Sequence, residues 1–294
     1  MQDLDKWIKA SKIAAESLEY GVSLIKPGAT LLDVTEKVEE RIIALGGQCA
    51  FPVQISMDHI AAHYCAEPND PIAFDKQLCS IDVGVHIDGC IGDNAATVDL
   101  SGQQAELVKA AKEALDNAIK VVQVGVQVSE IGKAIQETIE SFGFSPVRNL
   151  SGHGLTPYNI HDSPQIPNYN NNDTTKLKKG MIIAIEPFAT NGAGMIYETE
   201  QANIFSQVEQ KPVRSPIARQ ILRDLEPLQG LPFTTRWLVK KYPLFKVSFA
   251  LREMLQLGIL KRYPPLVEQR KGLVSQAEHT LLIDDKVKVL TIKE

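Results

Sequence analysis

The sequence predicts an α+β fold made of two similar halves, each a pair of helices packed on antiparallel strands. Three observations carry this. The N-terminal segment falls on the middle of the chain at a shift of 97 residues, without a gap. Each copy reads as helix, glycine break, helix. Short strand-like runs follow each copy.

The matches are specific. Lys12, Ala14, Glu16 and Leu18 land on Lys109, Ala111, Glu113 and Leu115, and Gly28, Glu40 and Gly46 land on Gly125, Glu137 and Gly143. In the first half, Thr30-Leu-Leu-Asp33 is a capping box that starts the second helix. Val34, Val38 and Ile42 then recur at helical spacing, as do Ile131, Ile135 and Ile139 in the second half. Gly46 and Gly143 stand where a helix C-terminus needs a left-handed residue. Strands are expected at Leu78–Asp82 and Thr97–Leu100 after the first pair, at Met181–Glu186 after the second, and at Ala277–Ile283. Sites in such pseudo-twofold folds often lie between the halves.

From Ser215 the pattern becomes helical, around Ser215–Leu225, Thr235–Lys241 and Phe245–Leu257. Residues 207–272 carry 13 Lys and Arg against 5 Asp and Glu, while the rest of the chain carries 18 against 31. We therefore expect a catalytic body of residues 1–206 and 273–294, interrupted by a basic helical insertion, 207–272, that suggests a winged helix. Its outer face is either a solvated cap or a docking surface for ribosomal RNA.

Composition narrows the class. The chain has 294 residues, 44% hydrophobic and 23% charged, with a net charge of −5. That is ordinary globular usage, which excludes disordered, collagen-like and coiled-coil proteins. A chain of this length buries about three quarters of its extended surface and needs no staples. No run of apolar residues is long enough for a membrane span, and the start, MQDLDKWIKA, lacks the plan of a signal peptide. Cys49, Cys65, Cys79 and Cys90 show no C-x-x-C spacing, so reduced thiols in a cytoplasmic protein are expected.

The most informative stretch runs from Ser80 to Val98 and reads as a hairpin turning near Asp88-Gly89. With Asp88-Gly89 as the loop, Asp82 and Asp93 are diagonal neighbours. With Ile87-Asp88 as the loop, they are directly opposite. Both registers put them on one face, because side chains alternate with period two. Two like charges on an apolar strand pair need a cation or a shared proton. His153 in a tight Ser-Gly-His-Gly loop, Glu186 after the apolar run Met181–Ile185, and Glu278 at the mouth of another apolar strand complete the set. Four carboxylates and one imidazole suit two hard or borderline divalent ions.

Other chemistries lack support. His59-Ile-Ala-Ala-His63 has the spacing of a helical zinc motif, but Ile60 stands where the general base is needed. No phosphate loop, dinucleotide fingerprint or serine-nucleophile elbow is present.

Asp82, Asp93, His153, Glu186 and Glu278, in this order and on these motifs, resemble the ligands of the methionine aminopeptidase family. The hairpin Asp82–Gly89, Gly152-His-Gly154, Ile185-Glu-Pro-Phe-Ala-Thr190, Ser275-Gln-Ala-Glu-His-Thr280, Ile60-Ala-Ala-His-Tyr64 and Tyr158-Asn-Ile-His161 carry the resemblance nearly end to end. It implies the pita-bread fold, with its pseudo-twofold, and two divalent ions drawn from Co, Mn, Fe or Zn. Asp82 would hold one, His153 and Glu186 the other, and Asp93 and Glu278 would bridge them. The insertion resembles type II enzymes, and the short N-terminus the archaeal form. His63 and His161 resemble substrate-contacting histidines and, with Glu278, are the catalytic candidates. Phe51, Ile160 and Phe188 are candidates for an apolar methionine pocket. The implied activity is removal of initiator methionine ahead of a small residue from nascent chains, by a cytoplasmic monomer. Aminopeptidase P and prolidase share the fold and ligands but carry a further N-terminal domain. A non-catalytic binding protein of this fold would be expected to lose ligands. Cys90, Gly92 and Asn94 depart from the family pattern around the turn.

Overall fold

The structure is a computed structural model that describes residues 3–292. The first two and last two residues of the expected catalytic body lie outside the described residues. Helices α1 (Leu4–Leu24) and α2 (Leu31–Ala44) form the first pair, and α3 (Ala105–Val121) and α4 (Val128–Ser141) the second. Thr30 caps α2 as its spacing predicts, its hydroxyl accepting from Asp33 N at 3.2 Å. The repeat extends to the backbone. Gly28 and Gly125 have φ of 87° and 86°, and Gly46 and Gly143 have 82° and 80°. These left-handed positions cost a glycine almost nothing, which is why glycine recurs at the shift.

Each helix pair covers its own core. Val34, Val38 and Ile42 pack with Ile55, Ile81 and Val85, while Ile131, Ile135 and Ile139 pack with Ile166, Ile183 and Leu281. Each such side chain, fully buried, contributes about 1.5–3 kcal/mol. The strands beneath are antiparallel. One sheet holds Gln48–Cys49, Leu78–Ile87, Gln54–Met57 and Cys90–Asp99. The other runs in the order Lys288–Val289, His279–Leu282, Ile182–Ile185, Ser151–Thr156, Asn159–Pro167.

Several expectations are refined. The short runs near Leu78 and Thr97 are the ends of one pair of ten-residue strands. The hairpin turns at Asp88-Gly89, with φ of 49° and 85°, so Asp82 faces Ala95 and Asp93 faces Gly84. The two carboxylates are therefore diagonal. The expected strand Ala277–Ile283 is broken at Ala277-Glu278, between Val274–Gln276 and His279–Leu282. His59 and His63 flank a short strand, Ile60–Ala62, so they lack the helical geometry of a zinc motif. Gly92 is required by close packing, because a Cβ there would collide with the α1 backbone at Ser11. All four cysteines are free.

The insertion contains α5 (Pro216–Leu225), α6 (Thr235–Val239) and α7 (Leu244–Gln256). Its own sheet pairs Ile204–Gln207 with Phe233–Thr234 and Leu260–Tyr263. This unit begins before residue 207 and closes before residue 272, since Leu266–Glu268 already pairs with the body strands Ile60–Ala62 and Ile196–Glu198. The buried Arg236 guanidinium donates to both Glu39 carboxylate oxygens at 2.8 and 2.6 Å, which ties the insertion to α2. Among the described residues, no helix is long and apolar enough to cross a membrane.

Candidate metal centre

The two sheets meet along one seam, and the predicted residues gather there. Glu278 lies in the strand break and donates its backbone N–H to Ala95 O at 3.0 Å. On either side of that bridge a threonine hydroxyl joins the strands. Thr280 Oγ1 bonds the backbone of Asp93, and Thr97 Oγ1 that of Gln276. Alternation then aims Asp93 and Glu278 into the same space.

His153 enters from Ser151–Thr156. Its two flanking glycines are required by close packing, because a Cβ at Gly152 would strike Ala184 O and one at Gly154 would strike Ser163 O. The imidazole Nε2 lies 3.6 Å from Glu186 Oε1 and 4.0 Å from Asp93 Oδ2. Glu186 follows the strand Ile182–Ile185 and accepts from Gln276 Nε2 at 3.3 Å. One ligand atom each from Asp93, His153 and Glu278 lies within 4.8 Å of the others.

The electrostatics of this cluster are those of a site built for positive charge. Among the described residues, no Lys or Arg forms an ion pair with its four carboxylates, and Asp82 Oδ1 and Asp93 Oδ1 are buried without a hydrogen-bond partner. Burial pushes the Asp82 carboxyl up to about 7. Burial raises Asp93, Glu186 and Glu278 well above the carboxylate range, and mutual repulsion adds to it. His153 is lowered to about 3, first by burial and then by His161, so its ring is neutral and free to donate a lone pair. Orphaned carboxylate oxygens beside a neutral imidazole fit divalent cations.

A cavity of about 300 Å³ opens from this cluster, and every site residue named from the sequence lines it. His63 sits at φ 62°, its N–H held by Gln54 Oε1 at 2.7 Å and its Nδ1 3.3 Å from Pro264 O. Burial, then the charge of His161, lower its pKa to about 4. The His161 ring meets His153 edge-on at 4.8 Å, and burial followed by the Lys261 charge lowers its pKa. Phe51, Ile160 and Phe188 are buried apolar walls. Gly84 makes room for the Phe51 ring, which a Cβ there would strike.

Some positions at this candidate site were missed in the sequence. Gln276 stands two residues before Glu278, and that strand spacing was a usable signal. Gln54 pairs with Asp82 across the sheet, which only the register reveals. Lys261 and Tyr263, from the insertion, line the cavity with no local signal at all.

A sequence profile of metallopeptidase family M24 matches residues 5–219. A methionine aminopeptidase of Archaeoglobus fulgidus is 47% identical over 291 residues, covering 98% of both chains. One from Thermococcus onnurineus is 44% identical over 294 residues, covering 99% of this chain and 100% of its own. The crystal structure of a methionine aminopeptidase from Thermotoga maritima superposes with a TM-score of 0.72 at 25% identity, covering 98% of this chain and 96% of that one. The shared architecture is the pita-bread fold, as the repeat and motifs predicted. With this coverage and these motifs, the chain belongs to metallopeptidase family M24.

Proposed function

We propose that this protein is a methionine aminopeptidase that removes the initiator methionine from nascent polypeptides, a step of protein maturation. The observation that carries the reading is the joining, in one cavity, of a cation-seeking carboxylate cluster and the apolar walls Phe51, Ile160 and Phe188. The names of the relatives support it. Asp82, Asp93, His153, Glu186 and Glu278 would hold two divalent ions, drawn from Co, Mn, Fe or Zn. Bound there, the ions supply Lewis acidity and a water of lowered pKa.

The remaining chemistry belongs to the chain. The apolar walls seat the methionine side chain and exclude water from it. The substrate α-amine would sit beside the metal-holding cluster, which confines attack to the first residue. His63 is neutral near pH 7, and its Nδ1 faces an acceptor-only carbonyl. Nδ1 therefore carries the hydrogen, and Nε2 is the lone pair available to the substrate amide. His161, also neutral, donates to the substrate carbonyl oxygen. Glu278 takes the proton given up by the attacking water and delivers it to the leaving amine. A small second residue is preferred in this reading because the site floor crowds larger ones.

The protein acts as a cytoplasmic monomer in this reading. Its insertion presents Phe245 and Phe249, 71% and 62% exposed, on a helix that also carries Lys246 and Arg252. That cationic, aromatic face favours a contact with ribosomal RNA. Unchanged ribosome co-sedimentation at low salt after charge reversal there would remove this contact from the reading.

The test is mass spectrometry of a peptide mixture incubated with divalent metal or with chelator. Metal-dependent loss of methionine before small residues is expected. Cleavage before proline instead would assign a proline-directed exopeptidase. Absence of cleavage in the metal-loaded protein would assign a binding protein.

A further inference from the structure

Charge is distributed unevenly in the cavity. Its floor is the carboxylate cluster. Its rim includes the insertion strand Leu260–Tyr263, which pairs with Ile204–Gln207. Lys261 and Tyr263 are two apart on that strand and share a face. The Lys261 ammonium lies 4.8 Å from the centre of the Tyr263 ring, and that ring meets the His63 ring edge-on at 5.6 Å. Tyr263 is itself held by its hydroxyl, 3.1 Å from Ser206 Oγ. The aromatic face thus keeps a cation on the cavity side of the strand. The charge is felt within, since it lowers the pKa of both His63 and His161.

Lys261 also lacks an anionic partner. It is exposed and, among the described residues, makes no ion pair. Its neighbour Arg262 already donates to Glu200 O at 3.3 Å. A rim cation held by an aromatic face but without a carboxylate partner, above the floor where the substrate N-terminus sits, is placed to meet the polypeptide as it leaves the cavity.

We propose that Lys261 is a specificity-determining residue that engages a substrate carboxylate just beyond the scissile bond, so that peptides with Asp or Glu at the third position are preferred. This rests on the aminopeptidase reading above. The same ammonium would accept the terminal carboxylate of a short peptide, so the two sources must be separated.

The experiment compares Met-Ala-Glu, Met-Ala-Gln and Met-Ala-Lys peptides, each extended and C-terminally amidated, together with free-acid Met-Ala-Gln. The quantity read is the ratio of kcat/KM values between peptides within each variant. For the metal-loaded wild type the Glu peptide is favoured over Gln by about two- to fivefold, the scale of an exposed ion pair, and over Lys by more. The preference shrinks at high salt. It is lost in Lys261→Gln and inverts in Lys261→Glu. A Lys261-dependent preference seen only with the free acid assigns the terminal carboxylate and overturns the side-chain preference. An unchanged Glu-to-Lys ratio in Lys261→Gln overturns the inference alone. No cleavage of the neutral peptide by the wild type overturns the aminopeptidase reading, and this inference with it.

Discussion

The hydroxyl of Thr280 satisfies both backbone groups of Asp93, donating to its carbonyl and accepting from its N–H, each at 2.8 Å. Thr97 does the same for Gln276 at 2.7 and 2.9 Å, on the other side of the Ala95–Glu278 bridge. Two threonines therefore do at the sheet junction what a ladder of backbone bonds does inside a sheet. They fix the two acidic strands at a constant offset.

Thr280→Ala should orphan two buried backbone groups at once. At about 1–3 kcal/mol for each unsatisfied group, unfolding in denaturant should show a loss of several kcal/mol, with Thr280→Ser close to wild type. Metal affinity should fall by about tenfold or more, the usual cost of removing a group that orients a ligand. A Thr280→Ala protein as stable as wild type would contradict the seam.

The metal-free protein should lose stability as pH rises from about 6.5 through about 7. Asp82 has its folded pKa raised from 3.8 to about 7, and the other three carboxyls move the same way. The folded state therefore binds more protons in this range, and the stability they contribute is lost as they leave. The histidines oppose this only below their unfolded value of 6.5, because their folded pKa values are lowered. Above that point the carboxylates act alone. Thermal unfolding in chelator should therefore show a melting temperature falling across the window, and added divalent metal should abolish the fall.

Gln54→Ala should reduce kcat more than it raises KM. The substitution removes the acceptor that holds His63 N, and His63 has a left-handed backbone that costs about 1–3 kcal/mol to maintain. Steady-state kinetics on a methionine-first peptide reads the split, with a drop of about tenfold or more in kcat for a displaced group. An unaltered kcat would show that His63 holds its place without Gln54.

Gly92→Ala should destabilise by about 1–3 kcal/mol through overpacking. The new methyl group would meet helix backbone at Ser11, which cannot rotate away as a side chain can. Chemical denaturation measures this, and a neutral result would mean that α1 is free to shift.

The fold was legible because its signals are local and repeated. Thr30 and Asp33, the helical apolar spacing and the left-handed glycines each depend on a few adjacent residues, and the 97-residue shift shows them twice. The carboxylate cluster was legible for a related reason, since buried strand ends carrying carboxylates break the local pattern. What escaped depends on distant pairings. The hairpin register had two solutions until Asp88 and Gly89 both took positive φ. The contact between His63 and Pro264 spans 201 residues, and no periodicity announces it. Lys261 reads as one more basic residue of the insertion until strand pairing brings it to the rim.

The carboxylate cluster is divided evenly, Asp82 and Asp93 coming from the first half and Glu186 and Glu278 from the second. Before the halves dock, each pair is hydrated and its repulsion is screened. Docking dehydrates all four and brings like charges face to face. Proton or cation uptake is therefore tied to assembly of the molecule as well as to its chemistry. The join between the halves is thus also where the molecule gathers its greatest debt of positive charge, which protons or cations must settle.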